Sequence, residues 1–249
     1  MNEPLRQHRE GLSGLGFWIA LGLVASAFVL KLGIVEIKSQ DNEITVKGYA
    51  EKSIESDLAV WSARITARGA QLELAYTKLE GDRTRLLQFL EKSGVTDVNV
   101  RVEPVWTQAI HENLSNGARG NRIVGYELGQ GVVLTSRNLD LVEQVARSSG
   151  DLIRDGVELS ASPPQYHFTQ LDELKVEMLG EASRDAAQRA RVLAENGGSK
   201  VGALRFASQG VFQITPEFST DVSPYGMNDT SSRQKSIKAV VTIRYAIER

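Results

Sequence analysis

Three histidines, 31 Asp and Glu residues and no cysteine bound the chemistry open to this chain. His8, His111 and His167 are too far apart for an H-x-x-x-H helical pair, and HExxH is absent, so no zinc site is expected. The G-x-S-x-G turn that exposes a nucleophilic serine is missing, and no Ser-His-Asp set follows from spacing. No G-x-x-x-x-G-K-[ST] loop occurs either. Gly125-Tyr126-Glu127-Leu128-Gly129-Gln130-Gly131 lies within a strand pattern, where glycines serve bulges or close packing rather than a phosphate. Trp61 and Trp106 read as strand residues of a core. Asn113-Leu114-Ser115 and Asn228-Asp229-Thr230 match the glycosylation sequon only by chance.

Carboxylates do gather in residues 215–236, as Glu217, Asp221 and Asp229, but the composition there reads as a mobile, solvated hairpin excursion. The same stretch holds Phe218, Val222, Tyr225 and Met227, apolar residues with neither helical nor strand periodicity. Its sharper reading is a surface that contacts a partner or another subunit. The expectation is therefore no catalytic, cofactor-binding or metal-ligating residue, no cofactor and no enzymatic activity. The rival reading is a small-molecule-binding module between helices and sheet, or a hydrolase. His111 or His167 in a pocket with converging carboxylates would favour the hydrolase.

Residues 11–30 hold twenty positions without a charge, between Glu10 and Lys31. As a helix at ~1.5 Å per residue they would span about 30 Å, the thickness of a bilayer's hydrocarbon core. The expected organisation is a cytoplasmic tail over 1–10, a transmembrane signal-anchor over 11–32, a linker over 33–43 and one domain over 44–249. Arg6 and Arg9 precede the span, and Lys31 and Lys38 follow it, so positive charge alone leaves the orientation nearly tied. The signal-anchor arrangement places the domain in the periplasm, attached to the inner membrane by a single pass. The alternative is a secreted periplasmic protein, cut near Ala27 at the small-x-small run Ala25-Ser26-Ala27. Lys and Arg number 29 against 31 acidic residues, a net charge of −2, and no basic run occurs, so nucleic acid is not an expected partner.

The elements that must position any surface follow from periodicity. The strand opening at Ile44-Thr45-Val46 is expected to stop at Gly48. Trp61, Ala63, Ile65 and Ala67 alternate with polar residues, as in a half-buried strand. A helix over 72–92 puts Leu72, Ala75, Leu79, Leu86 and Leu90 near one stripe, with Gly94 beyond its end. Val100 and Val102 continue an edge strand up to Pro104. A polar loop over 111–122 separates the strands of a long hairpin, whose second strand turns Tyr126, Leu128, Val132 and Leu134 to one face. Asn138 caps a helix over 139–148. Val157, Leu159 and Ala161 make a short strand.

Thr169 is the expected N-cap of a second long helix, with Leu174, Met178, Ala182, Ala186, Ala190 and Leu193 on its inner face. The run of alanines there implies close approach to a sheet. Strands over 203–215 and 237–248 end the chain. The fold class expected is α+β: a largely antiparallel sheet with two long helices on one face, preceded by the transmembrane helix. The order strand, long helix, hairpin occurs twice, as in a pseudo-repeat.

Several of these stretches resemble the SIMPL-domain family. Ile44-Thr45-Val46-Lys47-Gly48-Tyr49-Ala50-Glu51 and Asp57-Leu58-Ala59-Val60-Trp61 are similar to its opening. Pro164-Gln165-Tyr166, Glu181-Ala182, Asp185-Ala186, Ala190, Gly198-Ser199-Lys200-Val201-Gly202 and Phe212-Gln213-Ile214 are similar to its second half. The resemblance runs from about Ile44 to Ile247 and rests on the combined order rather than on one motif. It implies a bacterial domain of unknown function, exported or held at the membrane. It also implies homo-oligomeric assembly and links to envelope or oxidative stress tolerance. It supplies no catalytic residues.

Overall fold

A computed structural model describes residues 18, 20–24, 26, 42–96, 99–114 and 117–248. These fall into two compact units. One comprises Leu179–Gly210 with the described residues of Met1–Ala50 and Val240–Arg249; the other comprises Glu51–Met178 and Val211–Ala239.

The fold is mixed α+β, with almost every strand pairing antiparallel, and the strands form two sheets rather than the single sheet expected. A twisted sheet of eleven strands rarely stays open as one layer. The six-stranded sheet lies wholly in the second unit. It pairs β2 (Leu58–Gly69) with β5 (Arg119–Ser136) along eleven positions. β3 (Val100–Val102) and β4 (Trp106–Asn113) lie against β5, and β6 (Glu158–Ala161) and β7 (Gln165–His167) lie against β2. Trp61, Ala63, Ile65 and Ala67 face inward as their alternation requires. Helix α1 (Leu72–Lys92) covers them with Ala75, Leu79, Leu86 and Leu90, while Leu72 lies outside that stripe and is exposed. Gly94, at φ +89°, lets the chain reverse after α1, and the Val95 N–H returns to the Leu90 carbonyl. Helix α2 (Leu139–Ser148) starts as expected, with Asn138 Oδ1 accepting the Leu141 N–H at 3.0 Å, and a short α3 (Gly150–Arg154) follows. The polar loop expected over 111–122 is shorter than its composition implied. β4 runs to Asn113 and β5 starts at Arg119, because backbone pairing such as His111 with Ile123 carries polar side chains on a solvated face.

The five-stranded sheet runs in the order β1 (Glu43–Glu55), β11 (Gln234–Glu248), β9 (Gln213–Pro216), β10 (Met227–Asn228), with β8 (Lys200–Gln209) beside β11. β10 pairs with β9 in parallel. The single strand expected over 203–215 is two, β8 and β9, separated at Gly210. β1 does not stop at Gly48 but continues to Glu55. Gly48 serves contact rather than a turn: a Cβ there would strike the Ala182 carbonyl and come within 2.7 Å of the Ala186 Cβ. This is the close approach that the alanines of α4 (Leu171–Asn196) imply. α4 begins at Leu171, and Thr169 is not its cap. The Thr169 N–H and hydroxyl both donate to the Asp57 carboxylate, at 2.7 and 2.5 Å. The buried row on α4 ends at Ala194, which keeps the spacing of four from Ala190, so Leu193 is exposed.

Among the described residues no helix is long and apolar enough to cross a membrane. The tail, most of the span and nearly all of the linker expected over 1–43 lie outside those residues. Of the span, Trp18, Ala20–Val24 and Ser26 are described, and all are helical.

Candidate functional site

Between β9 and β11 the chain makes an excursion, and its base is fastened from three sides. The Gln213 amide clamps Ser223 at two points, donating from Nε2 to the Ser223 carbonyl at 2.6 Å and accepting the Ser223 N–H at 3.2 Å. Lys238 Nζ donates to the Ser219 carbonyl at 2.7 Å. Lys235 Nζ donates to the carbonyls of Asp229 and Tyr166, each at 2.6 Å. The Asp229 N–H closes onto the Ile214 carbonyl and the Met227 N–H onto the Phe212 carbonyl. The base of the excursion is therefore tied to the strands beside it, an arrangement its composition does not suggest. Composition is blind to anchors contributed from outside the segment.

Those anchors are electrostatically demanding. Lys235 is 2% exposed, and burial lowers its pKa against the opposing pull of the Asp229 charge. Burial also acts to raise the Asp229 pKa, but hydrogen bonds from the Ser231 and Ser232 hydroxyls and N–H groups outweigh it and hold the carboxyl below its ordinary value. Arg233 ties the returning end to Asp140 at 2.6 Å and to Glu55 at 2.9 Å. Tyr166, whose carbonyl meets Lys235, donates its hydroxyl to Glu143 at 3.0 Å. Burial, then that carboxylate, push the phenol up to about 12. The sequence did carry a signal for Lys235. It stands in phase with Ile237, Ala239, Val241 and Ile243, the inward positions of β11.

What the fastened base presents is apolar. Phe218 is 91% exposed, Val222 76% and Tyr225 93%, the largest exposures among the big apolar side chains described. The fourth residue singled out from sequence, Met227, is half-buried in β10 and does not join them. Phe218 has φ +65°, the one non-glycine residue in the left-handed region among those described. Such a conformation costs about 1–3 kcal/mol and persists only where neighbours over-determine it. The Lys238 clamp on Ser219, the next residue, supplies that constraint. Glu217, Asp221 and Asp229 do not converge as an acid–base set: Asp221 is tied to Ser219, Asp229 to Ser231 and Ser232, and Glu217 accepts the Ser53 hydroxyl at 3.4 Å.

The histidines lie elsewhere. His111 Nδ1 lies 2.6 Å from the Arg119 guanidinium and 3.2 Å from the Ala109 carbonyl, with no carboxylate among these partners. His167 opens with Tyr166, Asn228 and Lys235 on a cavity of about 50 Å³ whose lining holds no carboxylate. Among the described residues no cluster of His, Asp and Glu is arranged to hold a metal ion. Larger open grooves lie elsewhere, two of them nearly equal in volume. One, of about 690 Å³, lies beside the start of α1, between Leu72, Glu73, Tyr76, Val105 and Leu128. The other, of about 670 Å³, lies between β1 and α4.

A family model described as SIMPL, protein of unknown function (DUF541), matches residues 44–245. No curated protein matches the chain. Among solved structures, a de novo designed protein, Foldit4, shares 20% identity over 42% of this chain and 93% of its own, with a TM-score of 0.23. A hydrolase from Listeria innocua shares 14% identity over 80% of this chain and 91% of its own, at 0.20. An uncharacterized conserved protein from the same organism shares 12% over 80% and 92%, at 0.19. At these scores the three likenesses bear on neither fold nor function.

Proposed function

The chain belongs to the SIMPL family, whose function is unknown, and from that premise we propose that it is a non-enzymatic, membrane-anchored extracytoplasmic domain that assembles with copies of itself. It works through protein contacts in envelope or oxidative stress tolerance, and its contact element is the excursion between β9 and β11. The observation that carries this reading is the pairing of a clamped base with a bare apolar tip. A tip already ordered before binding avoids much of the ordering cost that a floppy loop would bear. A few residues carry most of the energy of a protein interface, and tyrosine, as at Tyr225, is among the types enriched there.

The anchor rests on the uncharged run over 11–30, where Trp18, Leu21, Leu23 and Val24 are helical with their apolar side chains exposed. The single pass leaves the domain on the periplasmic side, with release after cleavage near Ala27 as the alternative. Light scattering on the full chain in mild detergent tests assembly: species of more than one copy are expected, and a strict monomer at high concentration refutes it. Protease added to intact and permeabilised cells tests the side. Digestion once the outer envelope alone is opened supports the periplasm, whereas digestion only after inner-membrane disruption reverses it. A second reading, a small-molecule module, is favoured only by the groove beside α1, whose volume suits a drug-sized ligand. Ligand-dependent thermal stabilisation of the full chain would reveal it.

A further inference from the structure

We infer that the Phe218–Tyr225 tip of one copy docks into the β1–α4 groove of a second copy, an inference that rests on the self-assembly proposed above and names its two surfaces. The tip offers Phe218, Val222 and Tyr225 around one charge, Asp221, the only ionisable side chain from Phe218 to Ser223. A matching surface needs apolar walls and a cation. The β1–α4 groove has both: Val192 and Leu193, 51% and 57% exposed, stand beside Lys47, Arg189 and Asp185.

The cation there is net. Asp185 accepts Arg189 Nε and the Tyr49 N–H, both at 2.8 Å, and the Tyr49 hydrogen bond, with help from Arg189, holds its carboxyl below the ordinary range. Lys47 has no ion-pair partner among the described residues. Its ammonium is thus available to a carboxylate arriving with the tip. The groove beside α1 has a similar volume but fails on charge, because Glu73 is the only ionised group in its lining. Seating Asp221 there would set like charges together, a repulsion that discriminates against a wrong partner. Charge therefore selects between two grooves that size alone leaves equal.

The tip and the groove are different patches of one chain, so two copies can engage reciprocally as a closed pair, or each copy can contact two neighbours in a ring or filament.

Complementation in the full chain tests this. Tyr225→Asp spoils only the tip and Leu193→Asp only the groove, and both sites are exposed, so circular dichroism and melting should match wild type. Each variant alone is expected to be monomeric by light scattering. Their equimolar mixture, in which one intact tip meets one intact groove, is expected to form a 1:1 pair that grows no further. Asp221→Lys should weaken association ~tenfold, and adding Lys47→Glu to the same chain should restore it. A wild-type assembly unmoved by either substitution overturns the docking and leaves self-assembly standing. So does a mixture that stays monomeric at ten times the concentration at which wild type assembles. A wild type that is itself monomeric removes the broader reading, and the docking with it.

Discussion

Two places in this molecule fix the backbone by opposite means. At the base of the β9–β11 excursion, long polar side chains reach out from the strands and grip carbonyls: Lys235 on Asp229 and Tyr166, Lys238 on Ser219, Gln213 on Ser223. Where β1 meets α4 the device is the lack of side chains, with Gly48 against Ala182 and Ala186. The first is broken by taking atoms away and the second by adding them. The first is polar and responds to pH. The second, lined by a methyl group and backbone, has no titrating member at the point of contact.

The largest effect should follow from adding atoms. Gly48→Val drives a branched side chain into the α4 backbone, which cannot yield as a flexible side chain would. Overpacking of this kind costs upwards of ~3 kcal/mol when backbone must move. Urea unfolding should show that loss, and a variant within ~1 kcal/mol of wild type would mean that the helix and strand are not held at this spacing.

The pH response comes next, and its sign can be worked out. The folded Tyr166 phenol titrates at about 12, above its ordinary 10.0, so its contribution is fully present below pH 10 and is lost as pH rises from 10 to 12. Two units correspond to ~2.7 kcal/mol at most. In Tyr166→Phe that alkaline loss should be absent, so the gap between the two proteins closes between pH 10 and 12. Parallel curves would show that the folded phenol is not raised above its ordinary value. Lys235 moves the other way. Its lowered pKa makes the folded state gain relative stability as pH rises toward 10.5, so only the comparison with Tyr166→Phe isolates the phenol.

A smaller effect is expected from shortening the grip. Lys235→Met keeps the buried volume and removes the ammonium, so the lost hydrogen bonds are partly offset by the relieved burial of a charge. A net cost of ~1 kcal/mol is expected, seen as roughly fivefold faster chymotrypsin cleavage at Phe218 or Tyr225 as the excursion opens more often. An unchanged cleavage rate would restore the mobile reading of the loop.

The same contrast explains what could be read from the sequence. The alanine row of α4 was legible, because spacing and residue size together predict close packing. The strand alternation around Trp61 and the Asn138 cap were legible for the same reason, being local. Gly48 misled, since a glycine that ends a strand and one that admits a helix look alike until the partner is known. The excursion misled more, because its anchors are Gln213 and Lys238, which lie outside the 215–236 stretch, and Lys235 near its end, whose contacts composition does not reveal. Thr169 looked like a cap, and its hydroxyl went to Asp57, 112 positions away. Division into two sheets depends on which strands pair over long separations, and periodicity carries no such information.

The smallest effect separates stability from contact at a single residue. Phe218 sits at φ +65° with its ring almost wholly in solvent, so in the isolated chain the ring adds strain and little packing. Glycine adopts that conformation freely, and relief of about 1–2 kcal/mol is set against the ~0.5–1 kcal/mol of extra chain entropy that glycine brings to the unfolded state. Phe218→Gly should therefore unfold ~0.5 kcal/mol harder than wild type in urea. The same change removes an aromatic from the tip, so self-association should weaken in the same sample. A protein that becomes more stable and less able to associate is what a strained contact residue produces. If both properties fell together, the ring would belong to the fold and not to the tip.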